Sequence, residues 1–376
     1  MADHDTAPKG IIAAIVKRFL TSQLSIILII LSFCLGVAAI LITPREEDPQ
    51  IVVPLADVYV SAPGASAEEV EKLVSTPLER LLWQIDGVEY VYSRSSQDMA
   101  VVTVRFFVGE ERENSILKVH NRIAMYKDHA PSIVRGWVIK PIEIDDVPIV
   151  NLTLFSSRSG DHELRRIGEE VLARLSAVKD ISRTEIIGGR AREVRVELLP
   201  ERMTGMGVSL AEVRRALMGA DASITAGAFA RANQHITVTA NAFIAAADQV
   251  GALVVGVHDD RPVYLRDIAT VIDGPREADT YSRIGYAHYF REENGLTDTP
   301  LAYPAVTLAL AKKRGTNAVD VARSILSELE TLKKEVIPDD VRVAVSRNTG
   351  KTAQQKVNDL LASLAFAIVT VVALLA

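Results

Sequence analysis

Residues Phe19–Ile42, FLTSQLSIILIILSFCLGVAAILI, contain no charge, and that run constrains the chain more than any other feature. At about 1.5 Å of rise per residue, a helix of this length crosses a hydrocarbon layer of about 30 Å. A cleaved signal peptide has an apolar core of only about 7–15 residues, and Thr43-Pro44-Arg45-Glu46 is a poor cleavage site. A retained membrane helix over residues 19–43 is therefore expected. Lys9, Lys17 and Arg18 precede it while Glu46, Glu47 and Asp48 follow, so the Lys/Arg excess keeps the N-terminus in the cytoplasm. Residues 1–18 read as an amphipathic N-terminal segment on the cytoplasmic membrane surface. The three acids, bracketed by Pro44 and Pro49, read as an anchor and hinge at the helix exit.

A second uncharged run, LLASLAFAIVTVVALLA, occupies residues 360–376 and marks the start of a second membrane helix, assigned to residues 350–376. The stretch between the two runs is polar-patterned and lies across the membrane from the N-terminus, which in a bacterium is the periplasm. These two runs hold most of the apolar excess of a chain that is 48% hydrophobic and 24% charged. The only cysteine, Cys34, sits within the first run, so no intramolecular disulfide can form. A net charge of −6 without a Lys/Arg-rich stripe argues against nucleic acid as a partner.

Between the runs the periodicity alternates between strand and helix. Residues 55–61 (LADVYVS) read as a strand, and Ser66 with Glu69 forms a capping box, each side chain satisfying a free backbone N–H. Val70, Leu73, Val74, Leu78, Leu81, Leu82 and Ile85 then recur at helical spacing, with Pro77 expected to kink or split the helix. Strands over Val88–Arg94 and Ala100–Val108 and a helix over Asn114–Tyr126 complete a βαββα unit of ferredoxin-like pattern. The pattern repeats. Ile149–Phe155 reads as a strand, Asp161 as the cap of a helix bearing Leu164, Ile167, Val171, Leu172 and Leu175, and Ile181–Ile187 and Ala191–Leu199 as two more strands separated by Gly188-Gly189, in the strand–turn–strand pattern of the first unit. Ser209 and Glu212 form a second capping box. Residues 219–241, rich in small residues and Thr, read as a protruding hairpin. Pro262–Val271, Tyr303–Ala311 and Val341–Val345 read as strands, and Asn317–Val336 as an amphipathic helix.

Motifs for catalysis fail individually, and no enzyme is predicted. TGKT (349–352) resembles the end of a phosphate-binding loop, but Val345 stands where the motif needs its first glycine. The histidines (4, 120, 129, 162, 235, 258 and 288) never fall three or four apart, so no helix offers a metal-ligand pair. Met203 and Met206 read as packing. Glu143, Asp145 and Asp146 offer a carboxylate cluster whose plain reading is a solvated linker between domains.

A membrane helix, PREEDPQ, a strand, then APGASAEEVEKLVSTPLE and IDGVEYVYSRSS together resemble the start of resistance–nodulation–division (RND) transporters, most closely the hydrophobe/amphiphile drug-efflux branch. IDDVPIVNLTLFS is similar to that family's junction between its first two porter subdomains. RGTNAVDVARSILSELETL resembles its approach to the second membrane helix. The resemblance implies an α+β membrane protein. Its first porter subdomain covers residues 51–145, and a discontinuous second covers 147–185 and 280–346. A docking subdomain over 186–279 would reach a neighbouring protomer through hairpin 219–241.

By the same resemblance the chain is the N-terminal portion of a proton-driven inner-membrane permease, working as a homotrimer with a periplasmic adaptor and an outer-membrane channel. It needs no cofactor beyond the proton-motive force. The family's proton relay lies in later membrane helices, so these residues alone are not expected to pump. Positions matching its pocket are Asp57, Tyr59, Ser61, Val101, Thr103, Arg105, Pro148 and Ile187. The last two are phenylalanines in familiar drug pumps, and neither Pro148 nor Ile187 can stack on a flat drug. Two other readings of the topology stand beside this one: a two-span receptor with a periplasmic ligand domain, and a non-transporting fragment that inserts its hairpin into intact pumps.

Overall fold

The computed structural model describes residues 24–47, 51–142, 146–220, 224–231, 234–240, 244, 246–293 and 301–375. The amphipathic segment 1–18, the first residues of the expected membrane helix, and Asp48, Glu143 and Asp145 lie outside these.

Helix α1 (Leu24–Ile42) is uncharged throughout and carries exposed Ile27, Ile29 and Phe33. Strand β1 (Leu55–Ser61) follows, then a helix in three abutting parts, Ala67–Val70, a π turn at Glu71–Ser75, and Thr76–Trp83, together α2. Ser66 caps it with the predicted box: the Glu69 N–H donates to the Ser66 hydroxyl and the Ser66 N–H to the Glu69 carboxylate. Pro77 lacks an N–H and crowds the carbonyl four residues back, and the wider π turn accommodates it without breaking the helix. The extra residue per turn shifts the buried stripe. Leu73, expected inside, is 46% exposed, while Ser75 is buried and bonded to Ser95.

Strands β2 (Val88–Ser96) and β3 (Met99–Phe106), helix α3 (Arg112–Met125) and β4 (Gly136–Ile142) complete the first layer. Its sheet has the order β2-β3-β1-β4, every neighbour antiparallel. β4 is a strand the periodicity did not reveal, because Lys140 and Pro141 interrupt its alternation. One face of the sheet packs Val58, Val60, Val102, Val104 and Phe106 against Val70, Val74 and Leu82 of α2 and Val119 and Ile123 of α3. Among the described residues, no helix packs on the other face.

The second layer is assembled from distant parts of the chain. Strand β5 (Val150–Phe155), helix α4 (Asp161–Leu175) and β6 (Ile181–Ile187) come first. β14 (Ala302–Lys312), α6 (Ala318–Glu335) and β15 (Arg342–Asn348) return much later. The sheet runs β6-β14-β5-β15, with the short β13 (Arg283–Gly285) also against β14. Leu152, Leu154, Leu308 and Leu310 meet Leu164, Val171 and Leu175 of α4 and Ile325 and Leu329 of α6. Complete burial of each such Leu or Ile contributes about 1.5–3 kcal/mol.

Two sequence expectations fail here. The strands flanking Gly188-Gly189 do not pair with each other. β6 joins β14, and β7 (Arg192–Leu198) joins β12 (Ala269–Pro275). The apparent copy of the first layer's strand–turn–strand is therefore a crossing between two sheets. Both glycines have positive φ, and a Cβ on Gly189 would come 2.8 Å from the Asp161 carbonyl oxygen, so the crossing needs them. Asp161 is not a cap either. Gly160 takes that position, and the Asp161 carboxylate accepts from Arg190, with Oδ2 to Nε at 2.9 Å.

Between β6 and β13 a third core gathers Val208, Val213, Val250, Val263, Leu265 and Ile268, with Met203 and Met206 packed against it as expected. It is built on β7 and β12, helix α5 (Leu210–Gly219, capped by Ser209 and Glu212), and a small sheet of β10 (Val254–His258) and β11 (Arg261–Tyr264). The single strand expected over Pro262–Val271 is β11, a helical turn at Leu265–Ile268 and β12, because the Asp267 carboxylate accepts the Tyr264 N–H and turns the chain. The expected hairpin is present as the antiparallel pair β8 (Ile224–Arg231) and β9 (Gln234–Ala240).

Helix α7 (Thr349–Leu375) follows β15 without a loop. It is the one helix among the described residues long and apolar enough to cross a membrane, over Thr349–Leu374. The described apolar stretch of α1, Ile26–Ile40, is shorter than that.

Candidate functional site

TGKT is the first turn of α7, with Asn348 as its cap: the Asn348 side-chain carbonyl accepts the Lys351 N–H. Thr349 is buried and donates from its backbone to the Ile149 carbonyl, and Gly350 lies against Ala318 and Ala322 of α6. Strand runs directly into helix here, with the Thr349 and Lys351 N–H groups already bonded, so the motif serves packing. Among the described residues no group of three His, Cys, Asp or Glu could hold a metal ion. Asp146 pairs with Arg183 at 3.8 Å, as a linker carboxylate would.

The helix-free face of the first sheet gathers six of the eight predicted site residues. In an antiparallel pair, residues directly opposite share a face. Asp57 stands opposite Thr103, Tyr59 opposite Val101, and Leu55 opposite Arg105. Ser61, opposite Met99, ends the same row of β1. Alternation explains the sorting: Ala56, Val58 and Val60 are buried under the helices, which leaves the odd-numbered residues of β1 on the open side.

Hydrogen bonds tie these side chains together. The Asp57 carboxylate accepts from the Thr103 hydroxyl at 2.5 Å and from the Tyr59 hydroxyl at 3.2 Å. The negative charge of Asp57, followed by burial and that hydrogen bond, raises the Tyr59 phenol above its usual pKa. Arg105 pairs with Glu89 at 3.2 Å and lies 5.6 Å from the centre of the Tyr90 ring. The Lys140 ammonium lies 5.2 Å from the centre of the Tyr59 ring.

Pro148 and Ile187 belong to the second layer. Pro148 is half-buried before β5, and Ile187 is 47% exposed at the end of β6, opposite Thr307. Sequence reasoning missed the contributions of β2 and β4 to the open face, namely Tyr90, Tyr92, Arg94, Val138 and Lys140. Once β2 and β4 flank the central pair, their alternate residues join the same face. A separate cavity of about 210 Å³ lies behind β1, between α2 and the segment after α3. Val58 and Val60 are among its lining residues, with Leu73, Pro77 and Trp137, and nothing in the sequence pattern announced it.

Comparison with known proteins places these elements in a class, the RND efflux transporters. Within that class the chain belongs to the AcrB/AcrD/AcrF family, which it matches over residues 11–376. It is similar to "Multidrug resistance protein MdtC" of Yersinia enterocolitica, 25% identical over 362 residues, covering 96% of this chain and 33% of that protein. It is likewise similar to the MdtC proteins of Yersinia pseudotuberculosis and Yersinia pestis, 27% identical over 365 residues with the same coverage. The chain thus spans about a third of the length of the curated relatives it matches.

Proposed function

We propose that these residues form the N-terminal part of a proton-driven inner-membrane permease that exports drugs or other amphiphilic compounds. The observation that carries this reading is the shared strand order of the two layers. Read as second-third-first-fourth strand, β2-β3-β1-β4 and β6-β14-β5-β15 are one topology, and the second is opened between its second and third strands to admit another core. On this reading each layer is a ferredoxin-like porter unit. The first covers residues 51–145 and the second 147–185 with 280–346. The core built on β7 and β12 belongs to a docking unit over 186–279. The layers move as rigid blocks between conformations that substrate and proton favour differently.

The membrane helices of this reading are residues 19–43 and 350–376, with the N-terminus cytoplasmic and the sheets in the periplasm. Hairpin 219–241 reaches a neighbouring protomer of a homotrimer, and a periplasmic adaptor and an outer-membrane channel complete the pump. Substrate passes the open face carrying Asp57, Tyr59, Ser61, Val101, Thr103 and Arg105, with Pro148 and Ile187 on the adjoining unit. The proton relay is placed outside the residues described.

The test is accumulation of a fluorescent amphiphile in bacteria stripped of their own efflux pumps, with and without the complete open reading frame that carries this chain. Lower accumulation that a protonophore abolishes supports the reading, and unchanged accumulation overturns it.

A further inference from the structure

Three cross-strand rows define the open face of the first sheet. Arg94, Val101, Tyr59 and Val138 lie side by side in the first, and Tyr92, Thr103, Asp57 and Lys140 in the second. Tyr90, Arg105, Leu55 and Ile142 form the third. Along β2, Tyr90, Tyr92 and Arg94 are alternate residues about 7 Å apart, so two tyrosines lead to a guanidinium. The tyrosine rings stack with centroids 5.9 Å apart and planes at 25°, and they are 46% and 52% exposed. That is an aromatic surface open to a flat ligand.

The charges on this face are unevenly matched. Asp57 is engaged by Thr103 and Tyr59 and stands opposite Lys140, and Glu89 is paired with Arg105. Both acids therefore have partners. Arg94 is exposed and, among the described residues, has no carboxylate within ion-pair distance, and Lys140 rests on a ring. Among the described residues of this face, the charge left over for a ligand is positive. A cationic ligand would have to take Asp57 from two hydroxyl donors, whereas an anion finds a free planar donor fork at Arg94.

We propose that this face selects amphiphiles that join a planar aromatic ring to an anionic head, the ring lying on Tyr90 and Tyr92 and the carboxylate or sulfonate meeting Arg94. The inference rests on the reading of the chain as part of an efflux permease and names the substrate class of that site. One strand repeat separates ring from head, so a naphthalene carrying an acid has the required reach.

The experiment expresses the complete open reading frame in a pump-deficient strain. Export of 8-anilinonaphthalene-1-sulfonate is compared with that of a cationic rhodamine ester, and membrane levels of each variant are matched by immunoblot. The wild type is expected to favour the sulfonate. Arg94→Gln should lower the anionic-to-cationic export ratio about tenfold, the loss of one charge-assisted contact. Arg94→Lys should retain most of the ratio, and Tyr92→Leu should weaken sulfonate export without reversing the preference. Export of both dyes with a ratio unmoved by Arg94→Gln, or a wild-type preference for the rhodamine, overturns the selectivity alone. Export of neither dye overturns the efflux reading and the selectivity with it.

Discussion

Lys312 Nζ lies 2.8 Å from Glu46 Oε1, and the two side chains are only 7% and 16% exposed. Glu46 leaves the end of α1, and Lys312 closes β14 of the second layer. Neighbouring contacts run the same way: Arg45 donates to the Gln354 side chain at 2.8 Å, Glu47 pairs with Lys356 at 3.3 Å, and the Ala318 N–H donates to the Arg45 carbonyl. Glu46 and Glu47 thus fasten the first apolar run to the second layer and to α7. The sequence reading made them an anchor; the structure supplies what they are anchored to.

Removing one partner of that pair should cost more than removing both, because the poorly hydrated charge left behind loses its ion-pair partner. Lys312→Met is expected to destabilise by about 2–3 kcal/mol, less than for a fully buried pair. Adding Glu46→Leu should recover most of it. Thermal unfolding in detergent measures both, and strictly additive losses would contradict the pairing.

Gly350 is where α7 crosses the start of α6. A Cβ there would stand 2.7 Å from both the Ala318 carbonyl oxygen and the Ala322 Cβ, so Gly350→Val must push the helices apart. The expected loss is about 1–3 kcal/mol. Lys351→Ala, on the exposed side of the same turn, should change stability by less than about 0.5 kcal/mol. A phosphate-binding loop would reverse the importance of the two positions in a nucleotide-binding assay.

Asp161 gives a pH signature. The hydrogen bonds from Arg190 hold its carboxyl below the usual range, against the opposing effect of burial, with the charge of Arg190 adding to the depression. A depressed folded pKa means that the contribution is complete above the unfolded value of about 3.9 and is lost as the pH falls through the folded value. Acid unfolding of Asp161→Asn should therefore show a shallower decline below about pH 4 than the parent. Parallel curves would rule out a contribution from this pair.

Both capping boxes lend themselves to a simple substitution series. Ser66→Ala and Ser209→Ala should each cost about 1 kcal/mol, and Ser→Asp at either site should retain most of the stability. Urea denaturation resolves the difference. A loss no larger than that of an exposed Ser→Ala elsewhere would mean that the hydrogen bonds contribute nothing net.

The boxes were legible because their physics spans four residues: Ser66 needs only Glu69. The stripe of α6 was legible for the same reason, and Val319, Val321, Ile325, Leu329 and Leu332 are all buried. Leu73 was not, since a π turn beside a proline shifts the helical period where a fixed spacing rule cannot follow.

Strand partners lie beyond local rules altogether. β6 and β7 are separated by two glycines, yet their hydrogen bonds go to β14 and β12, because a strand's edge is satisfied by whichever strand the packed layers bring beside it. By itself the sequence determined the apolar runs, the two capping boxes, and which alternate residues within a single strand such as β1 share a face, since those follow from local spacing. Only the tertiary structure decided that Lys312 would close on Glu46, and that Tyr90, Tyr92 and Arg94 would join Tyr59 in one surface. Each of those depends on a register between segments distant in the chain, and register is set by packing the whole layer at once.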